Sequence, residues 1–177
     1  MDASNSRVIR PVQASASASS AAAEVLAAPD NEIVIKRLIN APREMVFDAW
    51  LSHEHLSQWY GPEGFTITTH EINVKSGGVW HFTMHGPDGM DYLNRVDYGK
   101  VVRPELITHQ HRGEGADAGV SFEIVTTFVA VGDKTEITMR SIFPPAEAKD
   151  FVVKTYGAIE GGKQTLGRLA AFAEAGN

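Results

Sequence analysis

Histidine is the residue type in this sequence best suited to bind a metal ion, because its neutral ring nitrogens are common metal ligands. The chain has seven histidines and no cysteine. His109 and His111 stand two positions apart, so on a β-strand both side chains would lie on one face and could reach one ion. His81 and His85 would lie about 13 Å apart along a strand, too far to share an ion. No third ligand can be assigned to the first pair, so we predict no metal site and expect exposed or hydrogen-bonded histidines.

A second candidate for chemistry is segment 157–164, which has the G-x-x-x-x-G-K spacing of a phosphate-binding loop. Such a loop places a serine or threonine after the lysine to bind magnesium, and here that position is Gln164. Too little chain follows to build the parallel sheet that such a loop serves. A helical stripe of apolar residues through the same segment explains it better, and we predict no nucleotide cofactor.

Catalytic motifs are missing from the sequence. It contains neither the G-x-S-x-G turn of a serine nucleophile nor the H-E-x-x-H pattern of a zinc protease. Asp91, Arg95, Asp97 and Glu123 could place charge near the mouth of a pocket, where a buried carboxyl could act as a general base. We favour the alternative that these residues lie on solvated strand faces, because charged side chains are rarely buried. We assign no catalytic residue and no cofactor, and lean towards a protein that is not an enzyme.

Length and charge limit the class of protein. The 177 residues, 43% of them hydrophobic, suffice for one domain with its own core. The formal net charge is −6 and no basic run is present, which argues against a nucleic-acid partner. No apolar run approaches the roughly 20 residues needed to span a bilayer. The absence of cysteine fits a reducing compartment, so we expect a cytoplasmic protein. We also expect it to be soluble, as a monomer or a homodimer.

Residues 1–31 differ in composition from the rest of the chain. They are rich in alanine and serine and almost lack bulky apolar side chains, so we expect a disordered tail, followed by one domain at 32–177. Arg7 and Arg10 before a run of small residues resemble the start of a targeting peptide. Glu24 interrupts the candidate apolar region, which favours an unstructured segment.

The residues after the first strand predict two short helices. Pro42 suits a first helical position, where its missing N–H would have no partner. Ser52 is a typical N-cap for a second helix, and Trp50 and Trp59 fall on the apolar faces of the two. Gly61, followed by proline, ends the second helix.

The remaining chain predicts strands and then a helix. Alternating, β-branched segments separated by Gly, Pro and Asp turns indicate a meandering antiparallel sheet, with strands at 32–39, 66–74, 79–85, 90–102, 106–111, 120–131 and 135–143. A long helix is expected from about residue 146 onward. Each glycine inside it costs about 1 kcal/mol relative to alanine, so a kink or close packing must explain these glycines.

This order of elements resembles the helix-grip fold of the START-like, or SRPBCC, superfamily, which includes the birch-pollen allergen. The segments RLINAPREMVFDAW, HLSQWYGPEGF, GGVWHFTMHGPDG and TLGRLAAF resemble the family of homologues of the activator of heat-shock protein 90 ATPase. The resemblance covers residues 32 to about 175. It implies an α+β fold in which a curved antiparallel sheet of about six to seven strands wraps around a long C-terminal helix, with two short helices after the first strand. It also implies a largely apolar cavity between sheet and helix, which in relatives accepts lipids, polyketides or other hydrophobic molecules.

Candidate cavity residues follow from the resemblance together with strand alternation. In strand 79–85, Trp80, Phe82 and Met84 share one face, which should point to the helix. Other large side chains are candidates to join them, the tyrosines being able to orient a ligand through their hydroxyls. The full ligand-binding set is Trp59, Phe65, Trp80, Phe82, Met84, Tyr92, Phe128, Tyr156 and Ile159. For each of these residues taken singly, plain core is the favoured alternative, because large aromatic side chains dominate protein cores.

Three functions stay open, because this fold hosts unrelated activities. The first is a binding protein that encloses a small hydrophobic ligand. The second is a regulator of a chaperone or a stress-response interaction protein that acts through an exposed sheet face, although the authentic activator relies on a separate N-terminal domain that has no counterpart in this sequence. The third is a cyclase-like enzyme, which would need an inward-pointing acid–base pair.

Overall fold

A single curved antiparallel sheet dominates the computed structural model, which describes residues 22–177. Its eight strands lie in the order β1-β2-β8-β7-β6-β5-β4-β3, and every neighbouring pair is antiparallel. The strands are β1 Glu24–Leu26, β2 Glu32–Ile39, β3 Thr66–Ile72, β4 Val79–His85, β5 Asp91–Val102, β6 Leu106–Gly113, β7 Ser121–Val131 and β8 Lys134–Ile142. The seven strands predicted from the sequence agree with β2 to β8 within two residues at each end.

The eighth strand, β1, lies in the segment that was expected to be a disordered tail. Val25 pairs with Ile35 of β2, so β1 extends the edge of the sheet. For these residues the prediction of disorder is wrong, because backbone hydrogen bonds to an exposed edge order a segment that has few apolar side chains of its own. The rest of the predicted tail, residues 1–21, lies outside the described residues.

Four helices accompany the sheet: α1 Arg43–Asp48, α2 His53–Trp59, α3 Ala146–Tyr156 and α4 Ala158–Glu174. Pro42 is the N-cap of α1, one position before the predicted one. The predicted cap of α2 is confirmed, since Ser52 Oγ accepts a hydrogen bond from the backbone N–H of His55 at 3.3 Å. Trp59 Nε1 donates to the Ala49 carbonyl at 3.0 Å and ties α2 to the end of α1. None of the helices within residues 22–177 is long and apolar enough to cross a membrane.

The predicted C-terminal helix is divided in two at Gly157. This residue adopts φ +61°, a left-handed conformation that glycine accepts at no steric cost and that ends α3. Gly162 in α4 has the other predicted explanation, close packing: a Cβ there would come within 2.5 Å of Ile35 Cδ1 on β2. A break in the helix therefore explains Gly157, and close packing explains Gly162.

The core lies between the concave face of the sheet and the helices. α4 buries six side chains there, among them Leu166, Leu169 and Phe172, and it contacts β2, α1 and α2. α3 buries Val152 alone. The arrangement is an α+β helix-grip fold, as the sequence predicts, with one strand more than expected.

Candidate ligand cavity

A cavity of about 320 Å³ lies at one end of the concave face. The sheet contributes its floor from β4, β5, β6 and the start of β7, while α3 and the first turn of α4 cover it. Its lining residues are Pro62, Phe65, Met84, Tyr92, Asn94, His111, Gly113, Asp117, Val120, Phe122, Val152, Thr155, Tyr156 and Ala158. The lining is mostly apolar, and the volume falls at the lower end of the range typical of small-molecule sites, about 300–1,000 Å³.

Four of the nine predicted residues meet at this cavity: Phe65, Met84, Tyr92 and Tyr156. Tyr156 lies at the rim, since 41% of its surface is exposed. Tyr92 packs edge-on against Tyr156, with ring centroids 6.3 Å apart. That these four side chains bind a ligand stays a prediction.

The other five predicted residues lie elsewhere. Trp59, Trp80, Phe82 and Phe128 are core side chains, each at most 2% exposed, and Ile159 packs against the core without lining the cavity. None of these five side chains therefore lines this cavity. The physical reason is the cover provided by α1, α2 and the residues after α2, which fill this part of the concave face with aromatic rings.

Aromatic contacts show how completely that region is filled. Trp80 and Phe82 stack with ring centroids 3.8 Å apart, and Tyr60 meets Trp80 edge-on at 4.9 Å. Trp50 from the end of α1 meets Trp59 edge-on at 4.8 Å. Such edge-on and stacked pairs are favourable arrangements for buried rings. These rings therefore fill the packed part of the concave face with core side chains.

Two polar side chains of the cavity, Asn94 and His111, form a hydrogen-bonded pair. The side-chain amide of Asn94 donates to the Tyr92 carbonyl at 2.9 Å, so its Oδ1 faces His111 as an acceptor. His111 Nε2 lies 2.9 Å from that oxygen and must therefore carry the proton. In a neutral imidazole the other nitrogen, Nδ1, is then an acceptor, and it has no hydrogen-bond partner among the described residues.

The ring of His111 is fixed in place by its neighbours. It stacks on Phe122 with centroids 5.1 Å apart and planes 14° apart. Burial lowers the pKa of His111 to about 4, so the imidazole is neutral at pH 7. The His111 ring is thus held in place and carries no charge at neutral pH.

His109 lies on the same inward face of β6, two positions before His111. It is 4% exposed and packs edge-on against Tyr98, and neither ring nitrogen has a hydrogen-bond partner among residues 22–177. Burial, helped by repulsion from His111, lowers the pKa of His109 to about 3. The shared face is as predicted, whereas the expectation that each histidine is exposed or hydrogen-bonded is wrong for His109. In the described part of the chain, no three or more histidine, cysteine, aspartate and glutamate side chains are arranged to hold a metal ion.

At the rim of the cavity, α3 is attached to the loop between β6 and β7. The Tyr156 hydroxyl donates a short hydrogen bond to Asp117 Oδ1, in the 3₁₀ turn Gly115–Asp117. This hydrogen bond is the main cause that raises the pKa of Tyr156 to about 12. The acidic residue of the cavity lining, Asp117, therefore accepts a hydrogen bond from the Tyr156 hydroxyl.

The charged residues considered from the sequence do not line the cavity. Asp97 pairs with Arg95 at 3.0 Å and with Arg112 at 3.7 Å, and Asp91 pairs with His85 at 2.7 Å. These ion pairs belong to partly exposed side chains, and Glu123 is exposed. Their exposure agrees with the alternative interpretation, in which these side chains lie on solvated faces of the strands.

Sequence reasoning missed Asn94, His111 and Asp117 as cavity residues. For Asn94 and His111, the position along the strand is a signal that the sequence does contain. Asn94 stands between Tyr92 and Val96 on the inward register of its strand, and His111 follows Ile107 and His109 in the same way. Polar residues at inward strand positions mark either a buried network or a site, and this pattern could have identified them.

Solved structures share this fold. A protein from Arthrobacter aurescens aligns with a TM-score of 0.79 and 18% identity, covering 86% of this chain and 91% of its own. An AHSA1 protein from Silicibacter pomeroyi aligns with a TM-score of 0.66 and 20% identity over 82% of this chain and 99% of its own. DynU16, a protein of the dynemicin biosynthetic locus, aligns with a TM-score of 0.63 and 18% identity over 84% of this chain and 49% of its own. At these identities the likeness shows the fold alone.

Sequence comparison identifies the family. No curated protein matches the chain. The family model described as Activator of Hsp90 ATPase homolog 1-like protein matches residues 40–174, which include α1, α2, strands β3 to β8 and both C-terminal helices. The chain therefore belongs to the AHSA1 family of START-like, helix-grip proteins.

Proposed function

We propose that this protein binds a small, largely apolar molecule in the cavity between the sheet and the C-terminal helices. One observation carries the proposal: a space of about 320 Å³, lined mainly by apolar side chains, lies beside an otherwise tightly packed core. Specific ligand sites typically combine such a lining with a few fixed polar groups, here Asn94 and His111.

The size of the cavity argues against a packing defect. The cavity is open to solvent at its rim, so its apolar lining meets water when no ligand is bound, and covering that lining with an apolar molecule would be favourable. The neighbouring part of the same sheet face is filled by stacked aromatic rings, so the fold is able to close this space with side chains. Retaining it favours a role in binding.

The comparisons support a binding role in general terms. The helix-grip fold occurs in DynU16, whose gene lies in a locus for the biosynthesis of dynemicin, a setting in which small molecules are handled. The family description names the Hsp90 ATPase, which keeps chaperone regulation as an alternative. A regulator that acts through an exposed sheet face has no need of a cavity, so the cavity favours ligand binding over it.

A cyclase-like enzyme using the same cavity is the other alternative. It would need an inward acid–base pair, and Asn94 with His111 is the inward polar pair that the cavity offers. Asparagine does not titrate, and a histidine with a pKa near 4 is a weak base at neutral pH, since efficient general bases have pKa values close to the working pH. Binding without catalysis therefore fits these side chains better.

The test is a fluorescence titration with 1-N-phenylnaphthylamine, an uncharged apolar probe. Probe emission is preferable to tryptophan emission, because Trp50, Trp59 and Trp80 all lie in the packed core and none lines the cavity. We expect saturable binding, weakened at least about tenfold in Ala158→Phe, which places a ring in the cavity. Ala171→Phe, at an exposed position of the same helix, is the matched control and should bind like the wild type.

Circular dichroism establishes that both variants keep the wild-type fold. Native mass spectrometry of the purified protein, together with competition by a panel of fatty acids and aromatic polyketides, then defines the ligand class. Absence of saturable binding for the probe and the whole panel contradicts the proposal, as does equal binding by the Ala158→Phe and Ala171→Phe variants.

A further inference from the structure

One arginine of α4 holds part of the cavity wall. Residues 60–65 form the loop between α2 and β3, and Pro62 and Phe65 of this loop line the cavity. Nη1 of Arg168 lies 3.0 Å from the carbonyl oxygens of both Gly61 and Pro62. It also lies 3.3 Å from the Phe65 carbonyl oxygen, so its N–H groups are shared among several backbone acceptors. The guanidinium group thus gathers the carbonyl groups of the 60–65 loop around one cation.

Two further residues on the same side of α4 fit the loop. Gln164 Oε1 accepts a hydrogen bond from the backbone N–H of Glu63 at 3.1 Å. A Cβ at Gly161 would come within 3.3 Å of Pro62 Cγ, so the loop lies close against the helix there. Gly161, Gln164 and Arg168 are three and four positions apart, a spacing that places them on one helical face. This face of α4 therefore supports the 60–65 loop at three successive positions.

The loop in turn borders other side chains of the cavity. A Cβ at Gly61 would come within 2.8 Å of Met84 Cε, so the loop backbone approaches this methionine closely. The Phe65 ring packs against Tyr92 with centroids 6.1 Å apart. Because Phe65, Met84 and Tyr92 all line the cavity, a displacement of the loop would change the width of the space between them.

The charge of Arg168 makes this attachment stiff. Burial lowers the pKa of Arg168, although a guanidinium group stays charged at neutral pH. Among residues 22–177, no carboxylate lies within ion-pair distance of it, so the loop carbonyls compensate the charge. A partly buried cation that loses its acceptors is costly. Moving the loop away from α4 is therefore unfavourable.

We propose that Arg168 determines the ligand specificity of the cavity, because it fixes the 60–65 loop as a wall and so favours slim over broad apolar molecules. The inference rests on the proposed function and adds the residue that limits the shape of the ligand. Arg168 does not line the cavity, so it is a positioning residue that acts through Pro62 and Phe65. A fixed wall discriminates by steric exclusion of the broader molecule.

The test compares two uncharged isomers, 4-biphenylmethanol and diphenylmethanol, which contain the same chemical groups and differ in width. Each displaces 1-N-phenylnaphthylamine from the wild-type protein and from Arg168→Met, which keeps an unbranched side chain and removes the N–H donors. We expect the ratio of the two dissociation constants to shift at least about fivefold in favour of diphenylmethanol in the variant. A merely structural role would weaken both isomers by the same factor and leave the ratio unchanged.

Arg140→Met is the matched control. Arg140 of β8 donates from Nε to Glu32 of β2 at 2.6 Å, and neither residue lines the cavity, so this variant should keep the wild-type ratio. Gln164→Leu removes the acceptor of the Glu63 N–H and should shift the ratio about twofold in the same direction as Arg168→Met. If circular dichroism shows that Arg168→Met does not fold, Arg168→Lys replaces it. Lysine keeps the charge but lacks the planar fork of donors, so the same direction of shift is expected.

Amide hydrogen exchange gives a direct readout of the loop. The backbone N–H of Phe65 donates to the Pro62 carbonyl at 3.2 Å, inside the segment that Arg168 holds. In Arg168→Met this amide should exchange about tenfold faster, whereas the amides of the central strand β7 should change much less. Global destabilisation would instead accelerate exchange in the loop and in β7 alike.

Several results would overturn the inference. They are an unchanged ratio in the Arg168 variant, an equal shift in Arg140→Met, or exchange at Phe65 that rises no more than exchange in β7. If 1-N-phenylnaphthylamine still binds saturably in those cases, the proposed function stands and only the role of Arg168 is wrong. If neither this probe nor either isomer binds to the wild-type protein, both the function and the role of Arg168 are wrong.

Discussion

The two ends of the concave sheet face differ in what covers them. At the packed end, Trp80, Phe82 and Phe128 of the sheet lie beneath α1, Tyr60 and α2, whose Trp59 belongs to the same cluster, and each of the four is at most 2% exposed. At the open end, Phe65, Met84, Tyr92 and Tyr156 surround the cavity beneath α3. Strand β4 passes through both, with Trp80 and Phe82 in the packed end and Met84 in the open end. The same strand and the same alternation thus produce core in one place and cavity in the other.

The difference shows that the covering helix, not the sheet, decides whether a cavity forms. α4 buries six side chains, whereas α3 buries only Val152 and leaves Phe151 at 52% exposure. The left-handed conformation of Gly157 separates α3 from α4. α3 consequently acts as a loosely packed wall over the open end, and its interior face remains available to a ligand.

The largest expected effect tests this comparison on a single strand. Phe82→Ala removes a ring from the packed end and should lower the free energy of unfolding by about 3–5 kcal/mol, because a dense core cannot collapse around the lost volume. Met84→Ala at the open end should cost about 1 kcal/mol, since the methionine already borders empty space. Urea unfolding followed by circular dichroism measures both. Equal losses would show that the two ends do not differ in packing.

The next effect concerns pH and the two inward histidines. Burial lowers the pKa of His109 to about 3 and that of His111 to about 4, below the ordinary value of 6.5. As the pH falls, the unfolded chain therefore binds protons at these histidines before the folded chain does. Their neutral form is compatible with folding, so the free energy of unfolding keeps its full value above pH 6.5 and decreases as the pH falls towards 4. Each histidine should account for a loss on the order of 3 kcal/mol by pH 4.

Variants separate the two contributions. His109→Phe should flatten the decline in melting temperature between pH 6.5 and pH 4 more than His111→Phe does, because His111 borders the cavity and meets water more easily. A decline that neither inward variant alters would mean that both histidines keep ordinary pKa values in the folded protein.

The smallest effect on stability concerns the rim. Tyr156→Phe removes the hydrogen bond to Asp117 and should lower the free energy of unfolding by about 0.5 kcal/mol, because the hydroxyl is partly exposed. It should nevertheless speed the release of 1-N-phenylnaphthylamine several-fold, because α3 loses its attachment to the loop between β6 and β7. Stopped-flow dissociation measures the release rate. An unchanged rate would show that α3 does not limit exit from the cavity.

Much of the fold could be predicted from local signals. Alternation in β4 placed Trp80, Phe82 and Met84 on the inward face, Ser52 marked the start of α2, and seven strands were found within two residues of their ends. β1 could not be predicted, because its order comes from pairing with Val34, Ile35 and Lys36 of β2, not from its own composition. The break at Gly157 was one of two explanations that the sequence left open.

The candidate site was predicted less well, for a physical reason. Periodicity reports which face a side chain occupies and says nothing about what lies above that face. Periodicity does not distinguish Phe82 from Met84, although aromatic rings cover Phe82 and Met84 borders the cavity. The pairing of Asn94 with His111 depends on the diagonal relation of β5 to β6, which no local pattern specifies.

The sequence by itself therefore determined the order of the elements, the inward register of the strands and the family of the fold, because these follow from residue spacing along the chain. Only the tertiary structure decided where the concave face is filled and where it stays open. That outcome depends on how far each helix covers the sheet, and so on contacts between residues that lie far apart in the chain. The tautomer of His111 likewise depends on a contact between two strands, because the hydrogen bond to Asn94 fixes it.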